Sequence, residues 1–316
     1  MNKQAGELQK SYSVATQEHN ASQEALSLWR EIDRLGLAAH IGELEVKGYT
    51  IVPPEKVANE QFIDGLRSAL LDVAERRNKG IRPDPLKADS LYPEGFEYDR
   101  VDTIAANFGQ RLTYLLLENP LFVEAAIHPV ALTLATYMVG SKCALYDSLG
   151  LLKGPGGGDL TLHCDNVKIP APFPTVPQVC NATWLLSDYS IDHGALAFVP
   201  GSHRHYRHPI AGEGLDDRVP VVAPAGSLVF WGGNTWHGAF GRQVSGLRMS
   251  LAMFYCRPAI FPQEDSRSYG TEDFFKQYPN NERLAHLVGK YNNFGWKEEG
   301  NQNEDTAYNF AQSWFD

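Results

Sequence analysis

Leu162-His163-Cys164-Asp165-Asn166 sets an imidazole and a carboxylate two residues apart. In an extended strand, side chains at i and i+2 point to the same side, so His163 and Asp165 can reach one metal ion together. On its own such a tripeptide has a bland reading, a strand end with a solvated Asp. A third ligand is offered by His237, in Gly232-Gly-Asn-Thr-Trp-His237-Gly238, just past the apolar run Ser227–Trp231. Two histidines and one carboxylate on one face leave three coordination positions open, the facial arrangement of non-haem iron(II) oxygenases. Two open positions suit a bidentate 2-oxo acid and the last suits O2.

Between the two halves of this ligand set runs Asp192-His-Gly-Ala-Leu-Ala-Phe-Val-Pro-Gly-Ser-His-Arg204. The order is His-Cys-Asp, then this run, then a Gly-Ser-Leu-Val-Phe strand, then Trp-His, then Arg248 eleven residues after His237. That order resembles the phytanoyl-CoA dioxygenase family of Fe(II)- and 2-oxoglutarate-dependent oxygenases. A Gly-Tyr strand followed by a helix within residues 48–77 resembles the same family, and the likeness covers residues 45–260.

The resemblance implies a double-stranded β-helix (jelly-roll, cupin-like) core. It implies Fe(II) on His163, Asp165 and His237, with 2-oxoglutarate as co-substrate and O2 as oxidant. The expected outcome is hydroxylation of a small organic metabolite, lipid-like or secondary, with release of succinate and CO2. An aspartate at 165, where halogenating relatives carry a small residue, argues against halogenation. Arg248 has a physical reading of its own: guanidinium matches a carboxylate bidentately and stays charged, so it can hold the distal carboxylate of a 2-oxo diacid. Ser250 shares a strand face with Arg248 and can add a hydroxyl. Asn181 and Thr183 alternate on the preceding strand; Thr183 stands where the family often has an aromatic touching the co-substrate. Trp231 and Trp236 flank the distal histidine as candidate pocket walls. Two other readings stay open: a cupin-like metalloenzyme that uses no 2-oxoglutarate, and a non-catalytic binding protein on the same fold.

The elements that must position these residues follow from the pattern. Residues 1–20 are polar and aperiodic, expected as a loose arm. A helix is expected over Ser22–Leu35, stopped by Gly36, and a short strand over residues 48–54. Phe62, Leu66, Leu70 and Val73 recur at helical spacing within residues 55–77. Residues 78–100 read as loop and 104–139 as helix, broken at Asn119-Pro120 and His128-Pro129. From Lys142 to Arg257 short apolar runs alternate with Gly, Pro and Asp turns, the texture of a sandwich or barrel. The runs are Ala144–Leu152, Val179–Leu186, Leu196–Val199, Val219–Val222, Ser227–Trp231 and Met249–Cys256. A helix is expected over Asn281–Lys290. The chain reads as one domain: a mainly helical part at 1–140, a β core at 141–260 and an extension at 261–316.

Composition narrows the function. Of the 316 residues 43% are hydrophobic, and the net charge is −10. An acidic chain lacks the basic face of a nucleic-acid binder, and no polybasic tract marks it for anionic lipid. The N-terminus lacks a secretory h-region and no apolar run approaches a membrane span, so a cytoplasmic protein acting on a small molecule is expected. The four cysteines form no CxxC pair and read as free thiols; alternation points Cys164 away from the ligands. The histidines at 203, 205 and 208 read as a solvated basic loop, and Lys153-Gly-Pro-Gly-Gly-Gly158 as a loop leading to the metal strand rather than a phosphate cradle.

Overall fold

The computed structural model describes residues 14–94, 108–265, 269 and 271–289. Two antiparallel sheets face each other in a jelly-roll core, with helices on the outer face of the larger one. In chain order the strands are β1 Tyr49–Val52, β2 Gln110–Leu112, β3 Ala144–Lys153, β4 Leu160–His163, β5 Val179–Leu185, β6 Leu196–Phe198, β7 Val219–Pro220, β8 Leu228–Gly232, β9 His237–Ala239 and β10 Arg248–Cys256. The larger sheet runs β1-β8-β5-β10-β3-β2 and the smaller β4-β9-β6-β7.

Period-two alternation decides which side chains meet the helices and which meet the other sheet. In β10, Met249, Leu251, Met253 and Tyr255 join the main hydrophobic core. Arg248, Ser250, Ala252 and Phe254, between them, line a cavity on the opposite face. β5 repeats this: Cys180, Ala182 and Trp184 face the core, and Asn181 and Thr183 face the cavity.

The helices are α1 Val14–Arg34, α2 Ala38–Lys47, α3 Pro54–Val57, α4 Glu60–Arg77, α5 Pro120–Ala126, α6 Pro129–Val139, α7 Glu272–Gln277 and α8 Glu282–Leu287. Asn59 caps α4, its side-chain oxygen accepting the Phe62 N–H at 2.9 Å, which satisfies one of the orphan amides of a helix start. Pro120 and Pro129 sit at the first positions of α5 and α6, where a missing N–H costs nothing. Every residue from Val130 to Thr136 is buried, as expected of a helix apolar on all sides. No single helix among the described residues is long and apolar enough to cross a membrane.

The structure corrects several expectations. Residues 14–20 belong to α1, and only 1–13 of the expected arm lie outside the described residues. Of the expected helix 104–139, residues 104–107 lie outside the described residues, Gln110–Leu112 is the edge strand β2, and Leu115–Leu117 is a 3-10 turn. The apolar cluster there reflects burial between sheet and helices, which period alone does not separate from a helix. The helix expected over 55–77 begins at Glu60, after the short α3. The strand at 219–222 shrinks to Val219–Pro220, since proline cannot donate to a ladder. Helices α2 and α7 were not anticipated, and α8 ends at Leu287. All four cysteines are free and buried.

Candidate metal centre

β4 and β9 pair so that His163 lies directly across from His237. Their ring centroids are 4.3 Å apart. Asp165 does not share a continuous strand with His163, because β4 ends at His163. Instead the Asp165 amide donates to the Gly233 carbonyl at 3.0 Å, which turns the carboxylate back toward the two rings. One donor atom from each of the three residues lies within 4.8 Å of the others, close enough to hold one metal ion. Among the described residues this is the one such group of three. The histidines of the 203–208 loop do other work: His205 stacks on Trp236 and His208 meets the edge of Phe173.

Hydrogen bonds fix which atoms are on offer. The Nδ1–H of His163 donates to the Thr161 carbonyl at 2.8 Å, and that of His237 to the Thr235 carbonyl at 3.0 Å. A carbonyl can only accept, so each ring carries a proton on Nδ1 and turns its Nε2 toward the site. The Asp165 Oδ2 accepts the Trp231 Nε1–H at 2.9 Å, while Oδ1 lies 3.4 Å from the His237 Nε2. Each ligand is thus oriented by a second partner, as in well-built metal sites.

The three groups shift one another's protonation. Burial, and then the neighbouring His237, lowers the His163 imidazole to about 4. Burial works against the His237 cation, but the adjoining Asp165 carboxylate outweighs it and raises its pKa. Burial likewise works to raise Asp165, yet His237, His163 and the Trp231 N–H together hold its pKa below the ordinary value. A metal ion would displace the proton that Asp165 favours on His237, leaving two imidazole nitrogens and one carboxylate oxygen as donors, a set that suits Fe(II) or a similar divalent ion.

All three ligands border a cavity of ≈ 250 Å³ between the sheets. Arg248, Ser250, Asn181 and Thr183 stand on the opposite wall. Arg248 is 2% exposed; it donates to the Gly194 carbonyl at 2.7 Å, lies 5.6 Å over the Tyr189 ring, and its Nε has no partner. The Thr183 hydroxyl donates to the Asn181 side-chain oxygen at 2.7 Å. Trp231 lines the cavity and steadies Asp165, a role that sequence gave only as a wall. Trp236 is a correction: it packs with Leu162, Cys164, Phe173 and Val199 behind the site, and its indole N–H donates to the Arg207 carbonyl. It precedes His237 directly, so the two side chains take opposite faces. Cys164, in the same cluster, points away from the ligands as alternation requires. Sequence reasoning missed Tyr146, Asp147, Leu149, Arg111 and Gln263, which also border the cavity. A carboxylate alternating with Leu149 and Leu151 in an otherwise apolar strand was the available signal.

Residues 44–250 match the phytanoyl-CoA dioxygenase (PhyH) family. Dioxygenase af480 of Aspergillus fumigatus is 29% identical over 155 residues, covering 48% of this chain and 50% of that protein. The match therefore spans about half the length of that curated relative. Among solved structures, the epimerase SnoN in complex with Fe3+, alpha ketoglutarate and nogalamycin RO is 22% identical, with a TM-score of 0.53 over 73% of this chain and 88% of that one. HygX from Streptomyces hygroscopicus, with nickel and 2-oxoglutarate bound, is 17% identical, with a TM-score of 0.53 over 75% of this chain and 93% of that one. At these identities the structural likeness is one of fold. The family match spans well over half of the sequence, from within α2 to the arginine strand β10: the chain belongs to the phytanoyl-CoA dioxygenase family.

Proposed function

We propose that this protein is an Fe(II)- and 2-oxoglutarate-dependent dioxygenase that hydroxylates a small organic molecule, releasing succinate and CO2. One observation carries the reading: two imidazole Nε2 atoms and one carboxylate oxygen converge on one wall of a cavity whose other wall holds a buried arginine. His163, Asp165 and His237 would hold the metal, and the donor set fits it, since the Nδ1–H groups are committed to carbonyls. Bound together, Fe(II) and 2-oxoglutarate supply O2 activation coupled to decarboxylation of the 2-oxo acid.

The chain's own residues do the rest. Arg248 would bind the distal carboxylate of the co-substrate, its Nε free for that bond and its guanidinium fixed by Gly194 and Tyr189. Ser250 would add a hydroxyl, being two residues on in the same strand. Thr183 and Asn181, bonded to each other, would flank the same molecule. Leu149, Leu151, Leu160, Leu196 and Ala252 give the cavity apolar walls, which keep water from the reacting centre.

A small-molecule substrate accords with what the structural relatives hold: HygX has been solved with hygromycin B bound and SnoN with nogalamycin RO. The test is aerobic turnover with Fe(II) and 2-oxoglutarate, following succinate and the mass of the product. A gain of one oxygen is expected. An unchanged mass would mean epimerisation, and loss of two hydrogens would mean desaturation or ring closure; either contradicts hydroxylation. No succinate under any condition would contradict the oxygenase reading itself.

A further inference from the structure

The cavity has a second polar end, six strand positions from Arg248. β3 runs along the cavity from Asp147 to Lys153, and its last residue pairs with Arg248 while Asp147 pairs with Phe254. Six residues of strand separate these ends, about 20 Å at roughly 3.3 Å per residue. Leu149, Leu151 and Ala252 make the stretch between them apolar. The Arg248 end is matched to a dicarboxylate. At the far end Asp147, Arg111 and Gln263 share the cavity wall with Tyr146 and Phe254.

Asp147 is 3% exposed, and its Oδ1 is buried with no hydrogen-bond partner. Its neighbour Glu264, 5% exposed, accepts from the Ser148 hydroxyl at 3.1 Å, from the Tyr114 amide and from the Tyr269 hydroxyl. Burial raises the Glu264 carboxyl as well, but these protein donors act against it, so of the two it is the partner suited to carry the charge. Asp147 is the partner suited to carry the proton: burial first, and then the charge of Glu264, push its carboxyl well above the usual range, with Arg111 and the Ser148 amide acting the other way. One proton shared by the two carboxyls would satisfy one Asp147 oxygen and leave the other as an acceptor on the cavity wall. The Arg111 guanidinium acts on the Asp147 carboxyl from the same cavity wall.

From this juxtaposition, and resting on the metal-site reading above, we infer that Asp147 is a substrate-recognition residue and that the substrate is a neutral hydroxylated molecule donating an O–H to it. An ether presents no donor. An ammonium group would bring its charge beside the Arg111 guanidinium on the same wall. The apolar middle then takes the carbon skeleton and brings it past the metal ligands on the facing sheet.

The test uses the full chain loaded anaerobically with Fe(II) and 2-oxoglutarate. Three matched probes, decahydro-2-naphthol, its methyl ether and the corresponding primary amine, are compared by equilibrium dialysis. The alcohol should bind about tenfold or more tightly than either partner, the scale of one neutral hydrogen bond. Asp147→Leu should abolish that preference, and Asp147→Asn should keep it, because an amide can donate to Glu264 and still present a carbonyl. Equal binding of alcohol and ether, tightest binding of the amine, or a preference that survives in Asp147→Leu would overturn the inference. The visible band of chelated 2-oxoglutarate, recorded in the same samples, separates the two claims. Its loss in wild type would mean that the metal-site reading has failed, whereas its presence without discrimination would mean that only the assignment of Asp147 has. Should Asp147→Leu not fold, the three probes on wild type and Asp147→Asn still decide.

Discussion

At the residue scale the site is a set of oriented lone pairs. The ligands were legible in sequence because two of them are neighbours and the third follows a strand that announces itself by composition. Their orientation was not legible, since it depends on the Thr161 and Thr235 carbonyls and on Trp231, which reaches Asp165 from 66 positions away. Trp231→Phe keeps the ring and removes the N–H. It should weaken metal binding by roughly 10–100-fold, the usual cost of losing a ligand's supporting hydrogen bond, as read by titration against a competing chelator. An unchanged affinity would mean that Asp165 needs no such support. Asp147 was missed for a related reason: its meaning comes from Glu264, which lies 117 positions on and meets it only through the fold. Trp236 was misread because adjacency in sequence put it beside His237, whereas strand geometry sends the two side chains to opposite faces.

At the element scale the centre depends on how closely β4 lies against β9. Gly238 sits in that seam: a Cβ there would lie 2.4 Å from the Leu160 carbonyl oxygen, a backbone atom that cannot move aside. Gly238→Ala should therefore prise β4 from β9, part His163 from His237, and reduce both melting temperature and metal affinity. Gly158→Ala, in the preceding loop where nothing lies within 4 Å, should change neither. Equal behaviour of the two variants in thermal melts and metal titrations would contradict this. Asn59→Ala should cost about 1 kcal/mol in denaturant unfolding through loss of the α4 cap. The long strands β3, β5 and β10 were readable as apolar runs set off by Gly, Pro and Asp turns, and they extend for seven to ten residues. β2, with three residues, carries too little periodicity to be told from the helical surroundings.

At the scale of the whole molecule, one sheet serves two layers, with helices packed on one face and the cavity on the other. Lys153 marks where that sheet concentrates charge. It is 0% exposed and pairs with Arg248; burial first, and then the Arg248 charge, lower its ammonium to about 7. In the unfolded chain its pKa returns to about 10.4. Between these values the unfolded state binds more protons, so stability should rise with pH through that window and bear the full penalty below it. Lys153→Met, similar in volume, should flatten the rise and stabilise the co-substrate-free protein at pH 7 by on the order of 2 kcal/mol in urea unfolding. An unchanged pH slope would show that Lys153 is not the group responsible. The central claim, however, concerns the metal and the 2-oxo acid together. The direct measurement is an anaerobic titration of the apoprotein with Fe(II) and then 2-oxoglutarate, following the visible charge-transfer band of the chelated 2-oxo acid, with His237→Ala and Arg248→Ala alongside. The account predicts a band in wild type, its loss in His237→Ala, and a band in Arg248→Ala only at much higher 2-oxoglutarate. Metal binding without a band in wild type would contradict the 2-oxoglutarate assignment, and failure to bind Fe(II) at all would contradict the metal centre.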